Sequence, residues 1–267
     1  KTVQERGQLI CGVNAQVPGF GYVGADGAYA GFDVEFCQAI AAAIFGDATK
    51  VEYRSVTASE RFTALQSGEI DVLIRNTTWT LNRDSELAGN FVGTTFYDGQ
   101  GMMVPADSGL TTLEDLEGGT ICVQTGTTTE LNLADVMASL GVSYTPAVFD
   151  DADGTFAAYA EERCDAVTTD KSGLVSRRSV LADPENHVIM DVTMSKEPLG
   201  PMVRHGDDQW FDIVKWTVFA TMAAEEYGVT AANVDDVRGS TEHPEVKRPL
   251  GVQGALGAPP GLGIGYS

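Results

Sequence analysis

Glu69-Ile-Asp-Val-Leu-Ile-Arg-Asn-Thr-Thr-Trp-Thr-Leu-Asn-Arg83 is the stretch from which the fold is read. Its first six residues alternate in polarity and predict a strand. Asn76–Arg83 then brings together an amide, the hydroxyls of Thr77, Thr78 and Thr80, the Trp79 indole and the Arg83 guanidinium, with Arg75 just ahead. The segment lacks Gly and Pro, the usual turn residues. It therefore reads as a loop at the carboxyl end of a strand, where open α/β sheets bind ligands. An arginine and hydroxyls gathered there suit a small polar anion or zwitterion, and a plain solvated Thr/Asn loop is the alternative.

Working outward, Gln8–Asn14 predicts the first strand and Ala15–Tyr22 a loop marked by Pro18, Gly19 and Gly21. A helix is expected over about Asp33–Phe45, with Phe36, Cys37, Ile40, Ala41 and Ile44 as its apolar stripe and Gly46 as its stop. Lys50–Arg54 is a strand, and Ser59 can cap a helix over Glu60–Ser67. The order β-α-β-α-β implies parallel strands. The theme repeats downstream. Thr112–Leu116 reads as a short helix and Thr120–Gln124 as a strand, and Thr127 with Glu130 has capping-box spacing for a helix to about Leu140. That helix start is either a plain cap or an anion site. Ser143–Phe149, Asp165–Asp170 and His187–Met190 are strands separated by helices over Asp153–Arg163 and Ser172–Leu181. A long helix over Asp208–Glu226 and a shorter one over Val229–Val237 precede a Gly/Pro-rich tail, expected as surface loops.

With 43% hydrophobic and 21% charged residues in 267, the chain can bury a substantial core. The net charge of −21 argues against nucleic acid or an anionic membrane as a partner. So acidic a surface, with few lysines, would suit a saline exterior. No apolar run of spanning length is present, and the start at Lys1-Thr-Val-Gln fits a mature, processed chain or a trimmed one. Cys11, Cys37, Cys122 and Cys164 form no C-x-x-C pair. Cys11 lies in the first strand and Cys37 in the helix expected to pack on it. One bridge per half, Cys11–Cys37 and Cys122–Cys164, would imply an oxidising compartment; four buried thiols are the alternative. His187, His205 and His243 lack metal-ligand spacing, and no nucleophile elbow, phosphate loop or dinucleotide fingerprint occurs. Binding is favoured over catalysis, with no metal or cofactor expected.

A free amino acid needs a guanidinium and N–H groups for its carboxylate. Its ammonium needs a carboxylate and neutral acceptors. Arg83 with Thr127 can serve the first, and Asp170 with Thr78 and the Asn76 carbonyl the second. If these groups sit on two lobes, the ligand closes a cleft by a hinge motion.

Gly31–Ala42, Arg61–Val72, Thr77–Arg83, Gly126-Thr-Thr128 and Asp165–Asp170 together resemble the periplasmic substrate-binding proteins of polar amino-acid ABC transporters, across nearly the whole chain. The resemblance implies a two-lobed α/β periplasmic-binding-protein fold of type II, each lobe a β-sheet flanked by helices, joined by two hinge strands. Residues 1–98 with 197–267 would form one lobe and 99–196 the other. It implies Arg83 as the α-carboxylate clamp, Asp170 for the amino group, and Thr127 and Thr128 as second-lobe carboxylate contacts. Thr78 and Asn76 would line the pocket. Asn76–Thr80 is similar to the general amino-acid branch, associated with Glu, Gln, Asp and Asn. Family members often place an aromatic ring near the positions of Gln16 or Ala58; here Trp79, Phe20 or Tyr22 would substitute, or simply pack. Arg75 and Arg61 either meet an acidic or amide side chain or form surface salt bridges. The expected function is delivery of an L-amino acid to a membrane permease by a periplasmic monomer. The alternatives are an enzyme on the same fold, such as a dehydratase, or a receptor's ligand-binding domain.

Overall fold

The computed structural model describes residues 1–247. In chain order the first unit runs α1 (Thr2–Arg6), β1 (Leu9–Val13), β2 (Gln16–Val17), β3 (Gly21–Val23), β4 (Tyr29–Ala30) and α2 (Phe32–Phe45). It continues with β5 (Val51–Ser55), α3 (Arg61–Ser67), β6 (Val72–Leu73), α4 (Leu81–Ser85) and β7 (Gly89–Phe91). After β8 (Phe96–Asp98) come β9 (Gln100–Pro105), β10 (Thr120–Gln124), α5 (Thr128–Leu140), β11 (Thr145–Phe149), α6 (Ala152–Ala160), β12 (Ala166–Asp170), α7 (Lys171–Arg178) and β13 (His187–Ile189). The chain returns through β14 (Glu197–Leu199) to β15 (Met202–Arg204), α8 (Asp208–Glu226), α9 (Val234–Ser240) and α10 (Pro244–Lys247).

Among the described residues these strands build two five-stranded sheets, in the orders β5-β1-β6-β15-β7 and β11-β10-β12-β9-β13. β1 pairs parallel with β5 and β6, and β10 with β11 and β12, as the helical crossovers require. β8 and β14 pair antiparallel with each other and connect the two lobes. The molecule is thus a mixed α/β protein of two sheet-containing lobes.

Each sheet is covered on both faces. In the first lobe, Leu9, Cys11, Val13, Val72 and Ile74 pack under α2 and α8, while Leu73, Leu65, Ile70 and Met202 form a second cluster. Over Val72–Ile74 the side chains therefore divide between two interior faces, Val72 and Ile74 on one and Leu73 on the other, instead of between core and solvent. Asp71 is buried in that strand and is satisfied by Arg6 and the Ile10 N–H. Disulfides join Cys11 to Cys37, β1 to α2, and Cys122 to Cys164, β10 to the turn before β12.

Several expectations shift. A helical turn, Thr2–Arg6, precedes the first strand and supplies Arg6 to Asp71. The Ala15–Tyr22 loop contributes β2 to a small β2-β3-β4 sheet. Ser59 does not cap α3, whose N-cap is Glu60 with no side-chain capping bond; in the turn before it the Thr57 hydroxyl accepts the Glu60 N–H and the Glu60 carboxylate accepts the Thr57 N–H. Thr112–Leu116 narrows to a 3₁₀ turn, Glu114–Leu116. The expected Val229–Val237 helix begins later, at Val234, because Asn233 folds back onto the Thr230 N–H. Part of the tail is helical at Pro244–Lys247, and the rest of the looped tail lies outside the described residues.

Candidate functional site

Each element that carries a candidate residue ends at the cleft between the lobes. β6 leads into Arg75–Thr80, β10 into Gly126–Thr128, and β12 ends on Asp170. Arg83 enters from α4, whose N-cap Thr80 accepts the Arg83 N–H. The loop is braced from behind. Asn76 has φ 32°, in the left-handed region that costs most residues energy but that Asn tolerates. Its N–H donates to the Asp33 carboxylate at 2.6 Å, and its side-chain oxygen accepts from Asn14 at 3.0 Å. Asp33 is buried, and burial pushes its carboxyl up to about 7 despite the Asn76 N–H and the Arg75 charge.

Three guanidinium groups are buried here. Arg61 is 3% exposed and Arg75 5%, which rules out the surface salt bridges considered for them. Arg61 donates to the Thr77 hydroxyl at 3.5 Å and, from the other lobe, to the Gly126 carbonyl at 3.3 Å; its Nε is buried without a partner. Arg75 donates to the Val56 carbonyl, and Arg83 to the Thr78 carbonyl at 2.9 Å. Burial holds Arg75 and Arg83 down to about 10 and holds Arg61 well below its usual range, with Arg83 and Arg75 repelling it. Asp170 brings a buried carboxyl from the other lobe. Burial pushes its carboxyl up to about 8, with Asp98 and Glu197 adding to the rise, and Arg61 and Arg83 opposing it. Although Asp170 sits at the N-cap of α7, its carboxylate makes no capping bond and is left for the cleft.

The threonines divide. The Thr127 hydroxyl is fully engaged, donating to the Gln124 carbonyl and accepting the Glu130 N–H, so its side chain serves α5. Thr128 faces Thr78 across the cleft, their hydroxyls 3.4 Å apart. Trp79 stacks on Phe91 and is 38% exposed, away from the arginine cluster's contacts. Phe20 packs edge-on against Phe32 and Phe96, and Ala58 is buried.

The lobes are closed on each other. The Ala152 N–H donates to the Gln16 side chain, Arg177 to the Gln16 carbonyl, and Ser176 to the Pro18 carbonyl. A cavity of about 30 Å³ remains among Asn14, Asn76, Gln124, Asp170 and Arg177. It holds a water or two and not an amino acid, so a ligand enters only when the lobes part. Asn14, Gln16, Asp33, Ser176 and Arg177 were not singled out by the sequence as site residues. Asp33 carried a signal as an acid at the head of an apolar helix stripe, and the Gln16 position had been named only as one near which relatives often place an aromatic ring.

The fold and the cleft define the class of two-lobed binding proteins. Residues 9–232 match the model of the bacterial extracellular solute-binding proteins, family 3, and the chain belongs to that family. It is accordingly a solute-binding protein and not an enzyme. It is 52% identical over 261 residues to the glutamate/glutamine/aspartate/asparagine-binding protein BztA of Rhodobacter capsulatus, covering 97% of this chain and 77% of that one. It is 55% identical over 249 residues to the general L-amino acid-binding periplasmic protein AapJ of Rhizobium johnstonii, covering 93% and 73%. A solved periplasmic binding protein of an ABC transporter from Brucella ovis, with glutathione bound, superposes with a TM-score of 0.91 at 49% identity, covering 95% of this chain and 79% of that one.

Proposed function

We propose that the protein binds a free L-amino acid, with Glu, Gln, Asp and Asn favoured, in the interlobe cleft and presents it to an ABC permease as a periplasmic monomer. Arg83 would take the α-carboxylate, helped by the N–H groups at the start of α5, and Asp170 the ammonium. Thr78, Thr128 and Asn76 would line the pocket. Arg61 and Arg75 would meet an acidic or amide side chain, and Trp79 would back the loop. The lobes would be residues 1–98 with 197 onward, and 99–196.

One observation carries the reading: three buried guanidinium groups from one lobe converge on a buried Asp170 from the other. Buried charges of this kind need partners, and a zwitterion with a polar side chain supplies both signs. The names of the relatives point the same way. Among the described residues no helix is long and apolar enough to cross a membrane. The glutathione in the Brucella ovis relative favours a second reading, because its γ-glutamyl end presents the same head group. The relatives named for amino acids put the free amino acid first. The test is calorimetry of refolded protein with L-glutamate and L-glutamine beside Arg83→Ala. That variant should lose about 2–5 kcal/mol of binding, since a buried carboxylate loses its partner. Wild-type affinity in Arg83→Ala would remove Arg83 from the site.

A further inference from the structure

The two hinge strands carry a pair of acids directly opposite each other, Asp98 on β8 and Glu197 on β14. Glu197 is 2% exposed. One carboxylate oxygen accepts the Thr128 hydroxyl at 2.8 Å, and the other accepts the Asn132 side chain at 2.8 Å and the Ser195 hydroxyl. It thus grips the first and second turns of α5. Asp98 does the same for α7, accepting the N–H and the hydroxyl of Ser172, two residues after Asp170. The following residues of β14 hold the other lobe. The Trp79 N–H donates to the Pro198 carbonyl, the Gly200 N–H to the Thr77 carbonyl, and Thr78 bridges Leu199. Within Glu197–Gly200, the hinge therefore touches both sides of the Thr78–Thr128 contact.

We propose that Glu197 is a positioning residue for ligand binding: from the hinge it fixes Thr128 so that this residue meets the ligand, and Thr78, as the lobes close. The role rests on the amino-acid reading above. It differs from a purely architectural one because Glu197 acts through a single residue at the cleft. Glu197 also adds the largest opposing charge near Arg83, whose basicity burial otherwise lowers.

The experiment is a double-mutant cycle. Glu197→Gln, Thr128→Val and the combination are titrated with L-glutamate and L-glutamine. A glutamine at 197 keeps an acceptor oxygen for the Asn132–Ser195 pair but presents an N–H donor to Thr128, so the Thr128 hydroxyl turns from donor to acceptor and loses its charge-assisted bond. Each single variant should weaken binding by about tenfold, the worth of one such hydrogen bond. The double variant should be no weaker than the weaker single. Additive losses, or wild-type affinity in Glu197→Gln, would overturn the proposal. Should Glu197→Gln fail to fold, Glu197→Asp keeps the charge but shortens the reach, and the same non-additivity with Thr128→Val is expected. Arg83→Ala is run in parallel. If the wild type itself binds neither amino acid, the amino-acid reading fails first, whereas wild-type binding with normal loss in Arg83→Ala but no Thr128 coupling sinks only the role of Glu197.

Discussion

At the scale of single residues, the site is a cluster of charges held out of water. Asp170 and Asp33 have folded-state values of about 8 and about 7, both raised by burial above the ordinary 3.8. Between pH 4 and pH 8 the folded protein therefore holds more protons than the unfolded chain, and stability falls as pH rises through that window. The unliganded melting temperature of Asp170→Asn should fall less steeply from pH 5 to pH 8 than that of the wild type. Parallel profiles would mean that Asp170 is ionised in the fold. Bound ammonium favours the charged carboxylate, so saturating ligand should flatten the wild-type profile too. At this scale the sequence was legible where a side chain has one job. Arg83, Asp170 and Thr78 were named from their place at strand or loop ends, and they meet at the cleft. Thr127 was read as a ligand group because a cap and an anion site look alike in sequence; its hydroxyl is spent on Gln124 and Glu130. Asn14 and Gln16 were missed because their partners, Asn76 and Ala152, are 62 and 136 residues away.

At the scale of elements, the turn before α5 packs against the other lobe. Gly126 has φ +71°, and a Cβ there would come within 2.7 Å of the Ser59 hydroxyl and 3.1 Å of its backbone. Gly126→Ala should leave each lobe folded, by circular dichroism, yet weaken ligand binding more than tenfold, because the collision exists only when the cleft is shut. Unchanged affinity would show that closure does not bring Gly126 against Ser59. The disulfides are also element-scale devices, closing separations of 26 and 42 residues. Their reduction should lower stability by about 3–4 kcal/mol each in the chain-entropy view, read as a fall in denaturation midpoint with dithiothreitol. No fall would mean that the reduced chain keeps those contacts by packing alone. The order of the main strands and helices was legible from hydrophobic period together with cap and stop residues such as Gly46 and Thr127. The short strands β7 and β15 were not, because two or three paired residues leave no period to detect.

At the scale of the whole molecule, the protein is two sheets facing across a cleft, linked by β8 and β14. Long-range pairing such as β15 against β6 and β7 returns the chain to its first lobe, and no local pattern announces it. The return of the chain was expected from the family resemblance. On the proposed reading, closure, not chemistry, is the working step, with a ligand of matching charge held between the lobes. The most direct measurement is a thermal-shift screen of protein refolded to strip carried ligand, against the twenty amino acids. A ligand at a hundred times its Kd stabilises by about 2.7 kcal/mol. Clear upward shifts with Glu, Gln, Asp or Asn are expected, and no shift with any amino acid would contradict the zwitterion clamp on which the account depends.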